Sequence, residues 1–551
     1  MRTRAEALRN VQASVFDVCV IGAGATGSGC ALDAQLRGLK TVLLDAGDFA
    51  SGTSSTSTKM AHGGVRYLEQ AVLRFDTAEY DVVRRALRER IRMLRNAPFL
   101  CRPMEFVTPC FGWSDVAYYE TGLKLYDWIS GSASLGRSRF ISREETLRLM
   151  PTLAQEGLRG AVSYVDGQFD DARYNITLAN TFADAGGECL NYARLIAFEK
   201  DAEGKIASAE IEDQLSGSRF HVCAKAFVNA TGPRADAIRT IATPGIPPRM
   251  RLSKGVHILL SLEILSATEA MLIPKTEDGR VLFAIPWQGR LLVGTTENEI
   301  SAEADLFLTR EEVEYLLRHL NRYLKRPVAP DQVVSGMAGA RPLVAPADMR
   351  NTKEVAREHE VEIDQRSGLI SIMGGKWTTY RAMAEDTIDA VEKYMHRHVT
   401  PTMTKDHALI GSDGYTGDYW RSLVKEFSIP EIAARHLAEK FGTRAPDVMK
   451  LTNENHALRA PLIAGLAYLQ AEVLFCARDE MAMCIEDILA RRLGVEGYGW
   501  QEAIQAAPVV ADLLGHEFGW APEKKQTAID AYVRRIRGLI EKAGIAPTPV
   551  A

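Results

Sequence analysis

The residues Gly22-Ala23-Gly24-Ala25-Thr26-Gly27 carry the clearest chemistry in this sequence, because glycines at that spacing let backbone amides close on a pyrophosphate. They follow the β-rich run Phe16-Asp17-Val18-Cys19-Val20-Ile21 and precede a helix-like stretch that ends near Arg37-Gly38. Gly22 suits a tight turn, Gly24 a close approach of backbone to phosphate, and Gly27 close packing of helix on strand. Ala25 and Thr26 stand in the first helical turn, where free N–H groups and roughly half a positive charge favour an anion. A second apolar run, Lys40-Thr41-Val42-Leu43-Leu44, ends in Asp45, and a carboxylate about twenty residues past such glycines can accept hydrogen bonds from ribose hydroxyls. Strand, turn, helix, strand and acid make a complete dinucleotide unit, which by itself does not choose between FAD and NAD.

The choice comes from the next stretch, 51–67, which holds Thr53, Ser54, Ser55, Ser57, Lys59, His62, Gly63 and Gly64, then Arg66 and Tyr67. So many hydroxyl and backbone donors suit a pyrophosphate and the edge of an isoalloxazine ring better than they suit a spacer, which points to FAD. Further along, Ala226-Phe227-Val228-Asn229-Ala230-Thr231-Gly232 reads as a buried strand ending in a turn, and Thr231 and Gly232 join the cofactor candidates.

Residues Ile21 to Gly38 resemble the first signature of FAD-dependent, quinone-linked glycerol-3-phosphate dehydrogenases, within the amino-acid-oxidase-like flavoproteins, with Ala23 where a glycine is usual. Gly374-Gly375-Lys376-Trp377-Thr378-Thr379-Tyr380-Arg381-Ala382-Met383-Ala384 is similar to the second signature. Between them lie family-like pieces at Asp170-Asp171-Ala172-Arg173, Lys254-Gly255-Val256-His257, Gly294-Thr295-Thr296 and Gly339-Ala340-Arg341-Pro342-Leu343. The resemblance implies an α/β fold with a discontinuous, Rossmann-like FAD-binding domain over 14–80, 155–235 and 336–395. It further implies an inserted mixed-sheet substrate domain over 81–154 and 236–335 and an all-helical C-terminal domain over 401–551.

The same resemblance implies oxidation of sn-glycerol 3-phosphate to dihydroxyacetone phosphate by hydride transfer to FAD, with a quinone as onward acceptor. An oxidase that uses oxygen, or an amine or amino-acid oxidase of the same superfamily, is the alternative. His257 becomes the base, since an imidazole with an ordinary pKa of about 6.5 takes a proton at neutral pH. Arg341 becomes the group over the substrate that steadies an alkoxide or grips phosphate, and Arg66 with Tyr67 are the other phosphate candidates. How Arg66 and Arg341 divide that work stays open. Lys376, with Gly375, Trp377 and Thr378, belongs beside flavin N1 and the C2 carbonyl, where positive charge favours the reduced anion.

Those residues need a large frame, and 551 residues with 46% hydrophobic and 25% charged side chains supply one of two or three folded domains. A formal net charge of −5 gives no global electrostatic reason to bind nucleic acid. The eight cysteines include no CxxC pair and no EF-hand loop is present, so neither a metal nor a disulfide framework is expected. Residues 1–14 lack a signal-like apolar run, and the chain has no uninterrupted apolar stretch long enough to span a bilayer. Any membrane contact must therefore be peripheral, and the quinone that the resemblance implies makes the expected setting cytoplasmic, at the inner face of the membrane. The basic run Arg84-Arg85-Ala86-Leu87-Arg88-Glu89-Arg90-Ile91-Arg92-Met93-Leu94-Arg95, followed by Pro98-Phe99-Leu100, is the candidate lipid contact, and a homodimer is left open.

Overall fold

The computed structural model describes residues 1–64, 77–345 and 359–545. Two sheets organise the chain. The first is eight-stranded among the described residues, and its central strands run in the order 370–374, 219–229, 15–21, 41–44, 188–190, all parallel. Both faces are covered, so Val18, Cys19, Val20, Val42, Leu43 and Leu44 are wholly buried, as parallel strands between helices require. Helix Ala25–Leu36 connects the first two of these strands in sequence, and helices Asp171–Asp184 and Tyr380–Tyr394 pack beside it. The carboxyl ends of strands 15–21 and 219–229 lie together, with Ile21 opposite Asn229. That crevice is where an open parallel sheet binds its ligand.

The second sheet has ten strands among the described residues and runs mostly antiparallel. Strand Met250–Ser261 lies at its working end, paired with Arg290–Gly294 and Asn298–Ile300 on one side and with Ser335–Val344 on the other. The expected hairpin is present: Leu282–Trp287 pairs antiparallel with Arg290–Gly294 around Gln288-Gly289. Three strands fall across the boundaries expected from sequence. Met60–Ala61, Gly160–Phe169 and Ser335–Val344, all assigned above to the cofactor side, belong to this second sheet. Chain order and sheet membership diverge there because the chain crosses repeatedly between the sheets.

The helices after residue 401 do not form a separately cored unit. Trp420, Leu437, Phe475, Trp500 and Val510 share one apolar cluster with Val256, Ile258, Leu260, Leu291 and Val293 of the second sheet. Burial of that shared face is what holds the C-terminal helices in place.

Candidate active site

The glycine turn has the geometry its spacing requires. Gly22 has φ +102°, and a Cβ there would stand 2.7 Å from the Ala230 carbonyl oxygen. A Cβ on Gly27 would fall 1.8 Å from the Gly22 oxygen, so helix and strand meet only without side chains. Gly24 precedes helix Ala25–Leu36 and makes no side-chain cap, which leaves first-turn amides such as that of Thr26 for an anion. Asn175 Nδ2 donates to the Ala23 oxygen at 2.8 Å and holds the turn from behind. Asp45 accepts from Ala23 N at 2.7 Å and Gly47 N at 2.9 Å. Burial pushes its pKa up to about 6 against the pull of those two amides. Thr231 and Gly232 complete the rim at the end of strand 219–229, with the Thr231 hydroxyl donating to Asn229 Oδ1 at 2.7 Å.

The hydroxyl-rich stretch proves to be the junction of the whole site. Ser54 Oγ accepts from Ala25 N at 2.9 Å, and Ser54 O accepts from Trp377 Nε1 at the same distance. The Thr53 hydroxyl donates to the Ala340 oxygen at 2.6 Å. His62 N donates to Thr378 Oγ1 at 3.2 Å, and Gly63 N to the Tyr126 hydroxyl at 2.9 Å. Ser57 N donates to Asp171 Oδ2 at 2.9 Å, while Lys59 Nζ pairs with Asp171 Oδ1 and donates to Ser55 O at 2.8 Å. Lys59 is thus committed inside the protein, 5.0 Å over the Trp287 ring, rather than offered to a ligand. Gly375, Lys376, Trp377 and Thr378 follow strand Ile370–Gly374 and lead into helix Tyr380–Tyr394. Lys376 lies close enough to His62 to help lower its pKa, burial being the larger cause. Trp377 packs edge-on to Phe169, Tyr174 and Tyr380. Gly64 closes this stretch, and Arg66 and Tyr67 lie outside the described residues.

The second sheet brings His257 and Arg341 to one face. Strand register sets Gly255 opposite Gly339, with His257 opposite Met337 and Ser253 opposite Arg341. Alternation along a strand then puts His257, Gly255, Gly339 and Arg341 on the same side. The two glycines make a floor without side chains between the imidazole and the guanidinium. Other groups use that space: a Cβ on Gly255 would sit 2.5 Å from Arg341 Nη2, and one on Gly339 would sit 2.2 Å from Thr56 Oγ1. Arg341 donates to Thr295 Oγ1 at 2.9 Å and Thr296 O at 3.2 Å, which aims its fork. His257 Nε2 lies 3.0 Å from Thr58 Oγ1, whereas its Nδ1 is closed to solvent and has no partner. Burial, with Arg341 and Lys59 adding, lowers the His257 pKa to about 3.

Thr58, Asp171, Asn175 and Thr295 therefore share in the site without having been singled out by sequence. Thr58 was one hydroxyl among many, and the Asp170-Asp171 pair carried a family pattern with no role attached. A cavity of about 310 Å³ bounded by Met1, Arg2, Asn180 and Met481 touches none of the candidate residues.

A parallel sheet with a glycine turn, an acid at the second strand and a donor-rich loop defines a dinucleotide-binding oxidoreductase. Comparisons agree: residues 17–381 match the family described as FAD dependent oxidoreductase, and residues 402–525 match the C-terminal domain of alpha-glycerophosphate oxidase. The mitochondrial glycerol-3-phosphate dehydrogenase of Arabidopsis thaliana is 38% identical over 533 residues, covering 93% of this chain and 84% of its own. The FAD complex of glycerol-3-phosphate dehydrogenase from Bacillus halodurans superposes with a TM-score of 0.78 at 27% identity, over 100% of this chain and 99% of that one. The FAD-bound L-alpha-glycerophosphate oxidase of Mycoplasma pneumoniae shares the fold, with a TM-score of 0.54 at 16% identity over 72% of this chain and 98% of its own. The chain belongs to the FAD-dependent glycerol-3-phosphate dehydrogenase family, and FAD is its cofactor.

The residues present fit that group. A cradle that a Cβ would fill, the start of helix Ala25–Leu36 and Asp45 beside the turn suit the adenosine and pyrophosphate end. The Gly375-Lys376 turn, which lies near His62, suits the ring end.

Proposed function

We propose that this enzyme oxidises sn-glycerol 3-phosphate to dihydroxyacetone phosphate and hands the electrons to a quinone. The observation that carries the reading is the side-chain-free floor of Gly255 and Gly339 with His257 at one end and Arg341 at the other. A small polyol phosphate that displaces the Thr56 and Thr58 hydroxyls from beside this floor brings its alcohol to the imidazole and its anionic groups to the guanidinium. Bound FAD supplies the two-electron acceptor for the hydrogen on the substrate's second carbon. The chain's own part is to hold the substrate and take the hydroxyl proton. Thr58 already keeps a hydroxyl 3.0 Å from Nε2, so an alcohol that displaces it meets the same nitrogen. A base with a pKa of about 3 is weak at neutral pH, but part of that depression comes from Arg341 and Lys59. A phosphate dianion beside these cations offsets their effect and raises the base when substrate is present. Arg341 supplies forked donors to phosphate or alkoxide, and Arg66, Tyr67 and Lys376 are the remaining substrate candidates.

The quinone and the inner face of the membrane belong together in this reading. Among the described residues no helix is long and apolar enough to cross a membrane. The basic helix Thr77–Asn96 is a poor lipid contact, because Val83, Ala86, Leu87 and Met93 are buried and Arg85, Arg90, Arg92 and Arg95 pair with acids. Helix Trp113–Ser130 suits the role better, since Trp113 and Trp128 are 63% and 72% exposed and the exposed Tyr118 stands between them. Exposed tryptophan and tyrosine favour the membrane–water interface.

The test is anaerobic mixing with sn-glycerol 3-phosphate while the flavin bands are followed. Bleaching supports the substrate, and a spectrum that stays oxidised removes it. Peroxide formed in step with substrate in air would shift the acceptor to oxygen.

A further inference from the structure

Away from the reacting groups, a buried ion cluster joins the C-terminal helices to the cofactor loop. Asp48, wholly buried, lies three residues past Asp45. Its carboxylate accepts from Arg491 Nε at 2.6 Å, Arg492 Nη2 at 2.9 Å and Asn191 Nδ2 at 3.2 Å, and also from Arg492 Nη1. Both arginines come from the π-helical turn Asp487–Arg492, where Leu493 N donates to Ile488 O at 2.9 Å. Such turns in otherwise helical segments are frequent at functional sites. Arg492 Nη2 also donates to Glu480 O at 2.7 Å, and the Glu480 carboxylate receives both Nη atoms of Arg173 at 2.6 and 2.9 Å. Arg173 sits on helix Asp171–Asp184, the helix whose Asn175 holds the Ala23 oxygen.

The loop that Asp48 anchors is bonded to the glycine turn. Ala23 N and Gly47 N donate to the Asp45 carboxylate, and Ala50 N donates to the Ala23 oxygen at 3.3 Å. The C-terminal helices therefore grip the turn twice, through the 45–51 loop in front and through helix Asp171–Asp184 behind. Buried charge of this kind adds little net stability compared with apolar packing, whereas losing one partner is costly, so what it secures best is a single geometry. We propose that Arg491 and Arg492 are positioning residues for the cofactor: by fixing Asp48 they hold Asp45 and the glycine turn in the shape that binds FAD. This rests on the reading of Asp45 as a ribose acceptor. By linkage, bound FAD must in turn steady the 487–493 turn.

The experiment compares Asp48→Asn and Arg492→Lys with Asp45→Ala and with Arg290→Gln. Arg290 joins the same C-terminal helices to the second sheet, through the Tyr498 oxygen and Glu502, and touches no part of the loop. FAD dissociation constants are measured by fluorescence on protein stripped of flavin, together with melting temperatures with and without FAD. The expected result is at least a tenfold weaker FAD affinity in the two clamp variants and a smaller FAD-induced rise in melting temperature, with Arg290→Gln binding as wild type. A merely structural role would lower both melting temperatures alike and leave their gap intact. Clamp variants that bind FAD within twofold of wild type, while Asp45→Ala binds poorly, overturn the proposal. If Asp45→Ala binds normally and the clamp variants do not, the ribose reading fails and positioning acts through the turn alone. Should the variants not fold, hydrogen exchange of the wild-type 487–493 amides decides: slowing by FAD supports the coupling, and unchanged exchange overturns it.

Discussion

Replacing Gly294 by alanine moves the proposed base without removing it. Gly294 lies opposite His257 on the paired strand, and a Cβ there would stand 2.2 Å from His257 Cδ2, 2.7 Å from Cγ and 2.9 Å from Nε2. Ordinary contact between carbons begins near about 3.5 Å, so ring or strand must yield by about 1.3 Å. His257 is buried, and the yielding ring leaves Thr58. A misplacement of about 1 Å in a reacting group costs roughly a hundredfold in rate, or about 2.7 kcal/mol of barrier. In anaerobic stopped-flow reduction by sn-glycerol 3-phosphate, Gly294→Ala is therefore expected to bleach its flavin about a hundred times more slowly than wild type. Its FAD content should be unchanged, because the contacts of the glycine turn lie in the other sheet. Adding Gly294→Ala to His257→Ala should cost nothing further, since both act on one group. Native reduction rates in Gly294→Ala, or full additivity in the double variant, would refute the argument that His257 works from this position.

Three other expectations follow from the same geometry. His257 has its pKa depressed from 6.5 to about 3, chiefly by burial, so below pH 6.5 the unfolded chain takes up a proton that the folded one refuses. Stability from this group is complete above that pH and declines by about 1.4 kcal/mol per pH unit toward the folded value. Urea midpoints of FAD-free wild type should thus fall more steeply between pH 6.5 and 5 than those of His257→Gln, and parallel curves would count against a buried neutral imidazole. Lys59→Met leaves Asp171 buried without its cation, at an expected cost of about 3–5 kcal/mol, read as a lower melting temperature. Part of that loss should return in the Lys59→Met/Asp171→Asn double variant, and no recovery would show that the two do not act as a pair. Replacing Trp113 and Trp128 by serine should abolish sedimentation with anionic liposomes while leaving flavin reduction intact, and undiminished sedimentation would remove this helix as the lipid contact.

Local chemistry was legible in the sequence where short-range backbone geometry demands particular residues. The glycine turn is such a case, because contacts such as Gly27 against Gly22 operate within a few residues. The hairpin around Gln288-Gly289 is another, with both residues at positive φ, as a tight turn between twisted strands prefers. What stayed hidden is what only three-dimensional proximity decides. Strand Gly160–Phe169 has no local mark that sends it to the second sheet, and nothing near Asp48 foretells partners more than 440 residues away. The basic helix shows a related limit. Its charges look like a lipid-binding stripe in one dimension, yet Asp166, Asp386, Glu89 and Asp406 neutralise four of them in space.

The hydroxyl-rich stretch explains why so much of the site could be found and so little of it assigned. Thr53, Ser54, Ser57 and Thr58 each reach a different neighbour: the Arg341 strand, the glycine turn, the Asp171 helix and His257. A side chain of two or three heavy atoms makes a hydrogen bond only if its backbone passes within contact distance of the partner. A segment that must touch both sheets, the first helix and the second signature at once therefore has to be built from small polar residues. Composition announces that such a crossing exists. Which hydroxyl meets which partner follows from the path of the chain, so nothing beside Thr58 in sequence marks it for His257, 199 residues away.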